Sequence, residues 1–175
     1  MSDGTSAKLL VLAEGNAACV KITGRANFTS SVDFRTFVNE LYQSGFRRFV
    51  LDLSECVLMD STFLGVLAGF ALKMNGTSNG DCQGKIELLN PSTRIADILE
   101  NLGVLALFDV TKGTPVPLDA RATLAEPCKP SREEVTRTCL EAHKTLMAIN
   151  PDNVARFKDV TKFLAEDLKK IKSGA

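Results

Sequence analysis

The sequence predicts an α/β domain, a mixed β-sheet flanked by α-helices in the order β-β-α-β-α-β-α-β, followed by a C-terminal helical hairpin. Three observations carry this. Short β-prone runs alternate with helical apolar patterns across the first two-thirds of the chain. One of those runs, Phe49 to Leu53 (Phe-Val-Leu-Asp-Leu), is almost wholly apolar, as a central strand covered on both faces must be. Beyond a proline-rich stretch, two narrow apolar seams of matching length close the chain.

The elements follow in order. Leu9 to Ala13 and Ala17 to Thr23 are β-prone and separated by Glu14-Gly15-Asn16, a turn-rich triplet that suits an antiparallel hairpin. Ser30 or Ser31 can cap a helix whose apolar residues Phe34, Phe37, Val38, Leu41 and Tyr42 share one face, with Gly45 placed to end it. After the central strand, a second helix begins at Ser61. Its apolar residues, from Phe63 to Met74, point all round, and Gly65 and Gly69 permit close packing, so this helix must be deeply covered. Asn75 to Gly84 is polar and glycine-rich and reads as a connecting loop. Lys85 to Leu89 reads as a strand, Asn90-Pro91-Ser92 as a helix start, Ile95 to Leu102 as a helix stopped by Gly103, and Leu105 to Val110 as a last strand.

Residues 111–130 hold four of the six prolines (Pro115, Pro117, Pro127 and Pro130) and show no periodicity, so residues 1–110 form one domain and 111–130 a linker. Residues 131–175 form the hairpin. Ser131 and Glu134 make a capping-box pattern ahead of Val135, Cys139, Ala142, Leu146 and Ile149. Asn150-Pro151-Asp152 ends that helix and starts another, striped by Val154, Phe157, Thr161, Leu164, Leu168 and Ile171. The pattern leaves open whether the hairpin packs on itself, on the main domain or on a second copy, the last giving a homodimer.

Composition narrows the function. Basic and acidic residues balance at 21 each, so no general electrostatic attraction draws the chain to nucleic acid or an anionic membrane. Five cysteines, odd in number and without a Cys-x-x-Cys pair, suit a reducing cytoplasm. Met1 to Ala7 lacks the pattern of a signal peptide, and the apolar run from Val57 to Met74 is interrupted by Asp60. A cytoplasmic location with no membrane span is expected.

The sharpest local feature runs from Leu51 to Leu67: a strand ending Asp52-Leu53-Ser54, a short loop, then Met59-Asp60-Ser61-Thr62-Phe63-Leu64-Gly65 opening the apolar helix. Asp60 or Ser61 can cap that helix, whose dipole favours negative charge at this end. The stretch resembles the signature of the STAS domain family, in which Asp-Leu-Ser leads to Met-Asp-Ser-(Ser/Thr)-Gly-Leu-Gly. More weakly, the resemblance extends from Lys8 to Val110. It implies a non-enzymatic anti-sigma factor antagonist that needs no cofactor. By position, Ser61 is the residue phosphorylated by a partner anti-sigma factor that is itself a serine kinase. The unphosphorylated form would bind that kinase and free a sigma factor. Phosphorylation would release the kinase until a PP2C-type phosphatase restored Ser61. Partner contacts are expected from Asp60, Ser61, Thr62, Phe63 and Leu64, and from Arg25 and Asn27 in a loop beside them. Thr62 is a further candidate phosphoacceptor. Phe63 stands where the family has glycine, which places a large apolar side chain beside the switch and bears on which partner docks.

Other chemistries find less support. Cys19 and Arg25 match the Cys-x5-Arg spacing of cysteine phosphatases, but Cys19 falls inside a strand run rather than at its end. A serine hydrolase needs a base near its nucleophile, and the single histidine, His143, falls in the C-terminal helices, where it reads as solvated. No ligand-spaced histidines or cysteines indicate a metal. Glu133, Glu134, Glu166 and Asp167 read as exposed charges. A scaffold self-associating through its C-terminal helices is the alternative function.

Overall fold

The structure, a computed structural model, describes residues 7–76, 86–115, 123–125 and 129–174. A seven-stranded mixed sheet is its centre. β1 (Lys8–Glu14) and β2 (Ala17–Ala26) form the antiparallel hairpin, with Gly15 at φ 61 in the turn, a conformation glycine adopts without strain. β2 continues parallel to β3 (Arg48–Asp52), which pairs with β5 (Ile86–Leu89), which pairs with β6 (Phe108–Thr111). The strand order is β6-β5-β3-β2-β1-β7, where β7 is Thr123–Leu124, and β4 (Cys56–Met59) pairs the far end of β2. β3 thus lies inside the sheet, which is why Phe49, Leu51 and Leu53 are almost fully buried.

Two strands are additions to the expected order. β4 (Cys56–Met59) runs parallel to Gly24–Ala26, so residues expected in a loop are the end of β2. β7 (Thr123–Leu124), inside the proline-rich stretch, pairs with Leu10 and Val11 of β1. Most of the remaining stretch, with Pro117 and Pro127, lies outside the described residues, as do 77–84 of the expected loop.

The helices begin where side chains take up their free amides. α1 (Phe28–Gln43) starts earlier than expected: Asn27 accepts from the Thr29 and Ser30 amides, and the Ser30 hydroxyl accepts from the Asn27 amide. α2 (Ser61–Gly76) takes in the first two residues of the expected loop. α3 (Thr93–Asn101) is capped by Ser92, and Gly103 follows at φ 75. Leu105–Leu107 is a 3-10 turn rather than the start of a strand, so β6 begins at Phe108. α2 is buried on nearly every side, with Phe63, Leu64, Leu67, Ala68 and Ala71 at 1% exposure or less.

α4 (Arg132–Ile149) and α5 (Asp152–Lys172) form the hairpin. They pack on each other, and α4 also packs across α2 and α1. No described helix is long and apolar enough to cross a membrane.

Candidate functional site

Two helix starts converge on one carboxylate. The Asp60 amide donates to the Ala26 carbonyl (2.9 Å), which holds the residue at the end of β4. Asp60 Oδ1 then accepts from the Phe63 amide of α2 (2.9 Å), and Oδ2 accepts from the Phe28 amide of α1 (2.7 Å). One side chain therefore satisfies an unpaired amide of each helix, and two positive dipole ends face this corner.

Ser61, the first residue of α2, is partly buried, and its Oγ lies 2.9 Å from Nε2 of His143. The His143 ring is oriented from behind by its Nδ1, 2.7 Å from the Cys139 carbonyl. A carbonyl only accepts, so Nδ1 carries a proton, and Nε2 is the ring atom that shares a hydrogen bond with Ser61. The ring also meets Phe157 of α5 edge-on at 4.9 Å. His143 is 5% exposed, which corrects its reading as a solvated residue of a remote tail. Thr62, also buried, stands beside Cys139; burial pushes that thiol up, the Thr62 side chain opposes the rise, and the Asp60 charge adds to it. One turn on, α2 and α4 touch backbone to backbone. A Cβ built on Gly65 would stand 2.4 Å from the Ala142 carbonyl oxygen.

The expected contact residues separate into two groups. Asp60 and Ser61 keep part of their surface, Arg25 is exposed on β2 opposite Leu58, and Asn27 is committed to capping α1. Phe63 and Leu64 are corrections: both face the core, Phe63 against Phe34, because the inner side of a covered helix must be apolar. The large side chain at the family's glycine position thus lies inside, not beside the hydroxyl on the surface.

The sequence reading missed His143, Cys139 and Ala142. A signal existed: His143 follows Ala142 and stands three residues before Leu146, next to the apolar stripe, and polar residues on such a face usually have a partner. Nothing local names that partner, 82 residues away.

A serine held to a histidine has two parts of nucleophilic catalysis. Here the ring is oriented by a backbone carbonyl rather than a carboxylate, and α4 packs closely on α2 one turn beyond the serine. Cys19 lies within β2 with its thiol pushed up by burial, the reverse of an activated phosphatase cysteine. Among the described residues no cluster of histidine, cysteine, aspartate and glutamate could hold a metal.

A family model describing the STAS domain matches residues 9–116. No curated protein matches the sequence. Among solved structures, a candidate anti-sigma factor antagonist from Thermotoga maritima is similar at 15% identity and TM-score 0.52, over 59% of this chain and 85% of that one. The anti-sigma factor antagonist SpoIIAA of Bacillus, in its unphosphorylated form, is similar at 15% identity and TM-score 0.51, over 61% of this chain and 88% of that one. These likenesses concern the fold, and α4 and α5 lie beyond the family match.

Proposed function

The chain belongs to the STAS domain family, and from that premise we propose that it is an anti-sigma factor antagonist switched by phosphorylation of Ser61. The unphosphorylated protein binds an anti-sigma factor serine kinase and frees a sigma factor; the phosphorylated protein lets the kinase go, and a PP2C-type phosphatase resets it. It acts by binding, in the cytoplasm.

The observation that carries this reading is the corner at Asp60, where the starts of α1 and α2 meet and Ser61 stands first in α2. Two helix N-termini favour an anion, so the domain itself tolerates a phosphate of about −1.5 to −2 charges on Oγ. A second protein closing over Ser61 would have to bury that charge beside the Asp60 carboxylate. Desolvation and repulsion of that kind cost several kcal/mol, enough to release a partner.

Partner capture with wild type, Ser61→Ala and Ser61→Asp tests it. Alanine is expected to retain an anti-sigma kinase that phosphorylates the wild type at Ser61, and aspartate to recover at least tenfold less. Equal recovery by the two variants would overturn the switch.

A further inference from the structure

If a partner is to close over Ser61, the place is already taken. α4 lies across α2 and α1, and the Ser61 hydroxyl is bonded to His143. We propose that the α4–α5 hairpin is a cis-acting competitor for the partner's docking face, latched by the Ser61–His143 hydrogen bond and prevented from reclosing by phosphorylation of Ser61. The occupancy stands on the geometry alone; the competition and the phosphate rest on the function proposed above.

The seam is built as a docked interface rather than as core. Among the described hairpin residues Leu146 joins the main apolar cluster, with Ile149 and Phe157 partly buried against it. Of the other five buried residues of α4, Leu140 and Ala142 are apolar, and Thr136, Thr138 and His143 are polar. Across the edge of the seam, Arg35 of α1 pairs with Glu141 of α4 at 3.0 Å, with both side chains about half exposed, a pair worth little in water. Beyond the Gly65–Ala142 contact the helices part, leaving a groove of about 260 Å³ that includes Arg35, Asn39, Lys73 and Glu141 in its lining. Contacts between separable domains are polar and imperfectly filled in the same way.

Phosphorylation is incompatible with the closed seam. A kinase transfers the terminal phosphoryl group of ATP to Oγ: an O–P bond forms, the terminal P–O bond of ATP breaks, ADP leaves, and the hydroxyl proton passes to the kinase's base. The product carries a phosphorus and three oxygens where 2.9 Å now separates Oγ from Nε2. A phosphate kept on the side of His143 displaces that ring, and α4 then parts from α2 at the Gly65 contact. The hairpin thus sets a threshold: kinase or partner must first find the open form, and the phosphorylated form cannot close.

Cys139 is an internal reporter, since its thiol lies in the seam. The rate of its modification by N-ethylmaleimide, followed by peptide mass spectrometry on the full chain, is compared for wild type, Gly65→Ala and Ser61→Asp. Gly65→Ala suits α2, because alanine is the better helix former, and its new Cβ meets Ala142 of α4 as its nearest contacts. Both variants are expected to react at least tenfold faster at Cys139. The added charge of Ser61→Asp would by itself slow a thiol, so acceleration reports opening. Rates within twofold of wild type in both would overturn the latch. The kinase recovered by capture is then expected to bind Gly65→Ala at least tenfold more tightly than wild type, and equal affinity would overturn the competition. If neither variant nor wild type captures a kinase, the proposed function fails while the thiol rates still decide the latch.

Discussion

At Phe63 the ring is fully buried, with its centroid 4.9 Å from that of Phe34, so α1 and α2 share an aromatic contact directly behind the Asp60 corner. Its position follows from that of Ser61: residues at the first and third places of a helix face different sides, and the hydroxyl's side is the one α4 covers. Phe63→Ala is expected to cost about 3–5 kcal/mol, read by urea denaturation, through lost apolar burial and the cavity left behind. A loss below about 1 kcal/mol would mean that the ring does not pack in the core. Legible in the sequence were a cap at Asp60 or Ser61 and the placing of Ser61 at a helix start, since both depend on neighbours within four residues. The depth of Phe63 and Leu64 was not, because which side of an all-apolar helix meets a partner depends on what lies beside it.

Among the elements, the hairpin is held at two places. Near the seam it has the latch at Ser61. At its turn, Asn153 is fully buried and its amide donates to the carbonyls of Leu102 (2.9 Å) and Leu146 (2.8 Å), tying the start of α5 to the end of α3 and to α4. Gly103 allows Asn150 to approach there, as a Cβ at that position would stand 2.5 Å from the Asn150 amide nitrogen. Asn153→Ala leaves two carbonyls without this donor, and is expected to cost about 1–3 kcal/mol. Hydrogen exchange should locate the effect: amides of α4 and α5 exchange faster while those of β2 and β3 hold, and equal acceleration across the sheet would show that the hairpin does not open separately. The stripes on α4 and α5 were legible as periodicity. Their true inner faces differ in detail: Val154 is 44% exposed and Asn153 takes the inner place, because the tie to α3 turns the start of α5.

For the whole molecule, the described cysteines, Cys19, Cys56 and Cys139, are unpaired thiols. Burial raises Cys56 from its ordinary 9.0 to about 11, against weaker hydrogen bonding that involves Leu58 and Ala26. As pH rises, the unfolded chain therefore loses this proton first. The contribution of Cys56 to stability is complete below about pH 9 and is lost as pH climbs through about 11. Denaturant midpoints of wild type and Cys56→Ala are expected to converge between pH 8 and pH 10.5; a constant gap would place the thiol in water. The same enclosure surrounds Asp52, fully buried on β3, where Ser54 bonds to it and Lys21 stands 3.8 Å away, itself paired with Glu55.

By itself the sequence determined the order of the main strands and helices, the family signature at Met59 to Gly65, and the presence of a helical pair at the end of the chain. Each of these rests on periodicity, turn chemistry or caps, which act over a few residues. Only the tertiary structure decided that α4 lies on α2, that His143 is hydrogen-bonded to Ser61, and that Gly65 serves to admit Ala142. Those contacts join residues some eighty positions apart, and their partners are chosen by the shapes of two finished surfaces rather than by any local preference of the chain.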